Sequence, residues 1–152
     1  MKALELKIHP PIVLLLCLGI AYGFSHYLPS LAMPLILSDL QWFIGIIGVL
    51  VTLAGMWEFR KAKTTINPTS PEKASYLVSG GIYRLTRNPM YLGMQFILIA
   101  AIFKIGNYCG FIALPFFILY ITQFQIKPEE RIIKKIFGEE YCQYKKKVRR
   151  WL

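Results

Sequence analysis

Apolar residues in this chain fall in long blocks, not in the short alternating runs of a soluble core. The four longest blocks are Pro10 to Leu28, Trp42 to Trp57, Met90 to Phe103 and Tyr108 to Phe124. A helix that crosses the hydrocarbon core needs about 20 apolar residues, so the first block is long enough and the third is short. The pattern predicts an all-α integral membrane protein with about four transmembrane helices, the third of which either crosses fully or is re-entrant or partly buried in protein.

After the fourth block the chain becomes polar, and its apolar residues recur at helical spacing. The residues of this pattern are Ile133, Phe137, Tyr141, Tyr144, Val148 and Trp151. Lysines occupy the positions between them, which predicts an amphipathic cytoplasmic helical segment at the membrane surface. We expect Gly138 to divide this segment into two helical pieces that cap a cytoplasmic cavity.

The positive charges lie on one side of the predicted membrane. The chain carries 18 Lys and Arg, and its formal net charge is +10. If the N-terminus is cytoplasmic, every Lys and Arg except Lys104 falls in a cytoplasmic loop or terminus. The positive-inside rule therefore predicts that both termini are cytoplasmic. Topology and attraction to anionic headgroups explain the charge, so it does not indicate nucleic-acid binding.

The cysteines and histidines do not form the spacing of a metal site. Cys17, Cys109 and Cys142 are spread over two spans and the tail without a Cys-x-x-Cys, and His9 and His26 lie at opposite ends of the first span. The sequence therefore predicts neither a disulfide framework nor a bound metal.

One polar motif, residues 81–93, comes before and opens the third span. It contains Arg84 and Arg87 near the start of a helix whose first turn suits Pro89. Guanidinium groups and the free N–H groups of a helix N-terminus can bind a carboxylate or a phosphate. The alternative is that the two arginines only anchor the span to lipid headgroups.

A second polar motif follows the fourth span, where Pro128 is expected to open a helix with Glu129 and Glu130 in its first turn. These carboxylates would complement the helix dipole, which is the simpler explanation. However, carboxylates so close to a hydrocarbon boundary are costly unless they are paired or used. Their position favours a site on the same side of the membrane as Arg84 and Arg87.

Together these motifs resemble the isoprenylcysteine carboxyl methyltransferase and phospholipid methyltransferase family of membrane enzymes. The residues that carry the resemblance are Arg87-Asn88-Pro89-Met90-Tyr91-Leu92-Gly93, Pro128-Glu129-Glu130 and Phe137-Gly138-x-x-Tyr141-x-x-Tyr144-x-x-x-Val148-x-Arg150. The resemblance implies a methyltransferase that uses S-adenosylmethionine, with residues 1–152 as one domain. Its N-terminal spans would occupy residues 1–57 and its cofactor-binding core residues 58–152. No Rossmann fold is expected, and the chain has no Gly-x-Gly-x-x-Gly.

The resemblance also implies roles for particular residues. The implied cofactor-binding residues are Tyr83, Arg87, Asn88, Pro89, Tyr91, Gly93, Glu130 and Tyr141. The residues implied to act in catalysis or to position the acceptor are Arg84, Arg87 and Glu129. The family commonly has histidine where this chain has Asn88. Asparagine can form hydrogen bonds but cannot titrate near neutral pH, so a binding role at this position survives and a proton-carrying role does not.

The acceptor is expected to be lipid-like and to enter from the membrane. An isoprenylated cysteine, a phospholipid amine or another apolar molecule would suit a lipid-facing pocket. A carboxylate is nucleophilic at neutral pH, whereas an ammonium group must first lose a proton. We expect no histidine near the site, because none lies near the two motifs in sequence, and this favours a carboxylate or another acceptor of low basicity. The alternative of an amine stays open, since Glu129, Glu130 or a tyrosine could take its proton. The oligomeric state stays open, although Gly45, Gly48 and Gly55 give the second span small residues that suit close helix packing.

Two other functions stay open on the sequence alone. A non-enzymatic membrane protein could use its basic face to recruit anionic lipid or a partner, and its lipid binding would then be salt-sensitive without cofactor affinity. A nicotinamide-dependent membrane reductase would be similar in its C-terminal helices, although this chain is small for one.

Overall fold

The computed structural model describes residues 5–28, 31–34, 39–65 and 71–152. Lys2 and residues 66–70 of the predicted cofactor-binding core lie outside the described residues. The longer helices are α1 (Pro10–Tyr27), α2 (Leu40–Lys61), α3 (Pro89–Ile105), α4 (Ala113–Tyr120) and α5 (Lys127–Lys147). Short 3₁₀ turns occupy Pro71–Lys73, Gly81–Arg84 and Tyr108–Ile112.

The architecture confirms an all-α integral membrane protein. Two helices, α1 and α2, and the continuous helical run Tyr108–Lys147 are long and apolar enough to cross a membrane. The third predicted span forms α3, which has 17 residues and is the shorter apolar helix. It rises roughly 26 Å, against a hydrocarbon thickness of about 30 Å. Gly106 ends this helix in the left-handed conformation, with φ 73°.

Pro128 lies in the first turn of α5 together with Glu129 and Glu130, as predicted, but α5 continues the fourth span as one helical run. A π-helical turn at Ile121–Ile126 joins α4 to α5 without a break. A proline inside a helix lacks one backbone N–H donor, and the wider turn just before Pro128 accommodates that loss. The predicted interruption at Gly138 is confirmed, because this residue has φ 50° and ψ −119° within α5.

Helices α2 and α3 cross so closely that only small residues fit between them. A Cβ atom added at Gly93 would lie 2.5 Å from the carbonyl oxygen of Gly48, and one added at Gly48 would lie 2.8 Å from the carbonyl oxygen of Gly93. Two turns further along α2, a Cβ at Gly55 would lie 3.2 Å from the ring of Pro89. The small residues of the second span therefore pack within the chain, as small residues do between membrane helices.

The core lies where α1 meets α3 and the fourth span. Phe117, Ile121 and Ile126 from the fourth span are fully buried, together with Leu98 and Ile102 from α3. Many large apolar side chains on the outer face of α2 are exposed, as expected for side chains that contact lipid. This packing leaves the ends of α1, α2 and α3 to enclose a cavity together with α5.

Candidate functional site

A cavity of about 310 Å³ opens beside the start of α1, the end of α2 and the start of α3. Its other walls are α5 and the loop between α2 and α3. The volume falls at the lower end of the range for small-molecule sites, about 300 to 1,000 Å³. Most of the lining is apolar, and the polar groups are concentrated on α5 and on the loop that leads into α3.

Most of the predicted site residues line this cavity. They are Tyr83, Arg87, Asn88, Tyr91, Glu129, Glu130 and Tyr141. Arg84 is exposed to solvent and is not part of the lining. Pro89 is buried beside Gly55, and Gly93 is buried against α2, so both contribute to helix packing and not to the cavity wall.

The charged centre of the site is Glu130, which pairs with two arginines. Its Oε1 lies 3.1 Å from Nη1 of Arg87, and Arg150 donates to both of its carboxylate oxygens at 3.0 and 2.8 Å. Arg87 also donates from Nη1 to the hydroxyl of Tyr141 at 3.0 Å. Only 8% of the Arg87 side chain and 14% of the Glu130 side chain are exposed, so solvent screens this pair weakly.

Backbone and amide contacts join the C-terminal segment to the loop before α3. The backbone N–H of Arg87 donates to the carbonyl oxygen of Arg149 at 3.0 Å. The carbonyl oxygen of Arg150 accepts from Nδ2 of Asn88 at 2.8 Å and from the hydroxyl of Thr86 at 3.2 Å. The amide of Asn88 therefore binds the protein's own backbone, a task that needs no titratable group.

The sequence analysis did not identify Arg150 as a site residue. Arg150 is the last residue of the third motif that carries the family resemblance. It lies 20 positions after Glu130, a separation that does not predict a contact between the two residues. The break at Gly138 divides α5, and Val148 ends this helix with an extended backbone, φ −123° and ψ 133°. The hydrogen bond to Glu130 raises the pKa of Arg150, which keeps the guanidinium charged.

Glu129 lies beside Glu130 but has uncharged partners. The hydroxyl of Tyr91 donates to its Oε1 at 2.6 Å, and Nε2 of Gln125 donates to the same oxygen at 2.8 Å. Gln125 is itself buried, within the π-helical turn that precedes α5. The sequence analysis missed Gln125, because an ordinary apolar span ending at Phe124 gives no reason to single it out.

Tyr83 lines the cavity and contacts both α5 and α2. Its carbonyl oxygen accepts from the hydroxyl of Tyr144 at 2.7 Å, and its ring meets that of Phe59 edge to face, with centroids 5.6 Å apart. Burial raises the pKa of Tyr83 well above its usual range, and the nearby Tyr144, Glu129 and Glu58 add to the rise. The phenol is therefore neutral at physiological pH.

Glu58 on α2 is a third residue that the sequence analysis missed. Its carboxylate lies against Gly81, which has φ 53°, and leaves no space there for a side chain. The Gly80–Gly81 pair thus allows the loop backbone to approach α2 closely, which sets the position of Tyr83 two residues later.

His9 lines the cavity, so the expectation that no histidine lies near the site is wrong. It precedes α1 and is far from both polar motifs in sequence, but the start of α1 packs beside α3 and the fourth span. Pro10 and Pro11 follow it in the same wall. The argument against an amine acceptor, which rested on the missing imidazole, therefore fails.

The site offers both donors and acceptors to a polar ligand. Nε of Arg87 is buried and has no hydrogen-bond acceptor within the described ranges. Buried polar groups are seldom left without a partner, so this donor suits an anionic ligand group such as a carboxylate. Glu129 and Glu130 supply hydrogen-bond acceptors. Phe137, Tyr141 and neighbouring apolar side chains supply apolar surface for packing. This set can hold a zwitterionic small molecule next to an apolar one.

The comparisons with known proteins identify a family. A family model described as Phospholipid methyltransferase matches residues 40–140, from the start of α2 to just beyond the break in α5. A protein of Haemophilus influenzae, described as an uncharacterized protein, is 48% identical over 63 residues, which are 41% of this chain and all of that protein. No solved structure matches the chain.

Proposed function

The chain belongs to the phospholipid methyltransferase family, and from this we propose that it transfers a methyl group from S-adenosylmethionine to a lipid-like acceptor. The observation that carries the proposal is the cavity itself, in which the Arg87–Glu130–Arg150 cluster meets a wall of apolar side chains. A methyl transfer between a polar donor and a membrane-borne acceptor needs both surfaces in one place.

The polar residues of the cavity fit S-adenosylmethionine. This cofactor has a carboxylate, an ammonium group and ribose hydroxyls, and the unpaired Nε of Arg87 supplies a donor for the carboxylate. Glu130 supplies acceptors for the ammonium or ribose groups, while Tyr83, Asn88 and Tyr91 fix the wall around them. Under this proposal Pro89 and Gly93 act indirectly, because they set how α3 crosses α2.

The chemistry that the bound cofactor supplies is an electrophilic methyl group, whose bond to sulfur breaks as the acceptor heteroatom bonds to carbon. The protein must align the two groups and exclude water, and it needs no strongly titrating catalyst. The Tyr91 and Gln125 donors hold Glu129 on the cavity wall through one oxygen. We assign Glu129 to positioning the acceptor headgroup, with its other oxygen as the acceptor of a hydrogen bond.

The acceptor we propose to test first is a phospholipid amine. The description of the family names phospholipids, and His9 places an imidazole on the cavity wall. Because an ammonium group must lose a proton before it can attack, a neutral imidazole is a suitable proton acceptor. An isoprenylcysteine carboxylate is the competing acceptor and does not need this step.

The proposed site faces the cytoplasm, with both termini on that side. Arg60, Lys61, Arg87 and Arg150 lie at the cavity end of the bundle, whereas Lys104 lies at the far end of α3. This distribution supports the cytoplasmic orientation under the positive-inside rule. Cysteine labelling at positions 104 and 146 in sealed right-side-out vesicles tests it, since only the cysteine at position 104 should react from outside.

Cofactor binding tests the proposal directly. We expect calorimetric titration of the detergent-purified protein with S-adenosylhomocysteine to show micromolar binding that Arg87→Ala and Glu130→Ala remove. Arg84→Ala is the matched control, because this arginine lies in the same loop but is exposed. A folded protein that binds no S-adenosylhomocysteine would contradict the proposal. Binding of a nicotinamide dinucleotide would then indicate a reductase, and lipid binding alone would indicate a recruiting protein.

A second assay separates the acceptors. Radiolabelled S-adenosylmethionine is supplied with phosphatidylethanolamine or with an isoprenylcysteine carboxylate, and the labelled product is extracted and identified. If the acceptor is the amine, His9→Gln should lower its methylation by about tenfold or more, because general-base assistance is lost. His26→Gln at the opposite end of α1 is the control.

A further inference from the structure

The C-terminal segment, residues 148–151, completes the proposed site although it is not helical. Arg150 supplies two of the hydrogen bonds to Glu130, and the carbonyl groups of Arg149 and Arg150 accept from the loop before α3. We refer to residues 148–151 as the closing segment. A short extended segment has few internal contacts, so its position depends on what holds it in place.

The packing of Trp151 indicates that the closing segment lies near the membrane surface. Trp151 is half-buried and packs against the apolar core cluster that includes Tyr91, Ile121 and Ile126. These residues belong to the ends of the membrane helices nearest the cavity. A tryptophan with one side on such a cluster is typical of the boundary between hydrocarbon and headgroups.

Four basic side chains lie within or directly before the closing segment. Lys145, Lys146, Lys147 and Arg149 are all exposed, and none of them forms an ion pair within the described residues. We refer to these four residues as the basic patch. The exposed carboxylates of Glu139 and Glu140, on the same helical piece, offset only part of this charge.

We propose that the basic patch binds anionic lipid headgroups and thereby docks the closing segment onto Glu130, so that a negatively charged membrane completes the site. Each basic residue near an anionic surface strengthens binding by roughly fivefold, and the attraction acts over a Debye length of about 8 Å. The four side chains lie within five consecutive positions just before Trp151. Those that face the membrane therefore come within one Debye length of the headgroups while Trp151 stays at the boundary. The docking itself does not depend on the proposed function, but its effect on methyl transfer rests on it.

Hydrogen exchange tests the docking without any cofactor. The protein is placed in nanodiscs of phosphatidylcholine, with or without phosphatidylglycerol, and exchange of the backbone amides of Arg87 and Val148 is measured. The Arg87 amide reports the bond to Arg149, and the Val148 amide reports the end of α5. We expect both to exchange about fivefold more slowly in the anionic nanodiscs, and added salt to remove the difference.

Charge variants identify the surface responsible. The triple variant K145Q/K146Q/K147Q should lose the lipid-dependent protection. The matched control K134Q/K135Q should keep it, since these lysines are also exposed on α5 but precede the break at Gly138. Equal exchange in neutral and anionic nanodiscs would overturn the proposal, as would loss of protection in the control variant alone.

The affinity for S-adenosylhomocysteine in the same nanodiscs tests the coupling to the site. We expect about fivefold tighter binding in anionic nanodiscs for the unmodified protein, and no change for the triple variant. Charge-dependent exchange with unchanged affinity would overturn the coupling and leave the docking. Charge-dependent exchange with no binding at all would contradict the proposed function and not the docking.

Discussion

The polar end of the cavity and the crossing of α2 with α3 share one stretch of sequence but are built by opposite means. At the cavity, side chains from residues 83–91 form directional bonds to residues more than 35 positions away, such as Tyr91 to Glu129 and Asn88 to Arg150. At the crossing, Gly93 contributes by having no side chain, since a Cβ would meet the backbone of α2. A motif can therefore combine residues that bind with residues that only allow approach.

This difference predicts different responses to substitution. Removing a partner at the polar end leaves buried charges unpaired, which lowers ligand affinity. Adding a methyl group at the crossing pushes two helices apart, which lowers stability with little direct effect on the ligand.

Loss of the central carboxylate should have the largest effect. Glu130→Ala leaves Arg87 and Arg150 without their common partner, a change that costs about 3 kcal/mol in a buried pair. We expect a loss of S-adenosylhomocysteine affinity of about a hundredfold by calorimetry. Glu139→Ala, on the exposed face of the same helix, should bind like the unmodified protein. Unchanged affinity in Glu130→Ala would remove this residue from the cofactor site.

A methyl group at the helix crossing should come next. Gly93→Ala is expected to lower the free energy of unfolding by about 2 kcal/mol, because the added Cβ would overlap backbone atoms of α2. Thermal unfolding in detergent measures this. Gly19→Ala is the control, since an added Cβ there meets no neighbour within 4 Å. Lost cofactor affinity in Gly93→Ala at unchanged stability would instead support the cofactor-binding role that the resemblance implies for Gly93.

Removal of one donor to Glu129 should have a smaller effect. Tyr91→Phe deletes the hydroxyl that donates to Oε1 of Glu129, a bond worth about 1.5 kcal/mol when one partner is charged. We expect methyl transfer to slow about tenfold while S-adenosylhomocysteine affinity stays within about twofold. The exposed Tyr22→Phe serves as the control. Equal losses of affinity and rate would place Tyr91 in cofactor binding alone.

The smallest effect is expected at Arg84. This residue was predicted from its motif, but its side chain is exposed and lies outside the cavity lining. Arg84→Ala should therefore leave both affinity and turnover within about twofold, as surface substitutions usually do. A tenfold loss in either measurement would return Arg84 to the site.

Sequence patterns were sufficient to predict the membrane helices and several of the residues that line the site. Block lengths indicated the membrane helices, and Gly138 indicated the break in α5 because glycine tolerates the backbone conformation found there. The two separated motifs indicated Arg87, Glu129 and Glu130, since charged groups at a membrane boundary need partners, and the family resemblance implied Tyr91. These inferences depend on local chemistry and on spacing along the chain.

Only the tertiary structure decided which residues meet. Helix continuity through Ile121–Ile126 places Gln125 one turn before Glu129, and the break of α5 at Gly138 allows the tail to return Arg150 to Glu130. The packing of α1 brings His9 into the cavity wall, which no spacing in the sequence indicates. Periodicity reports which face of a helix is apolar, but not which helix that face contacts. The sequence by itself thus determined the membrane helices and the charged motifs, and the folding of distant segments onto one another decided the partners of each charge.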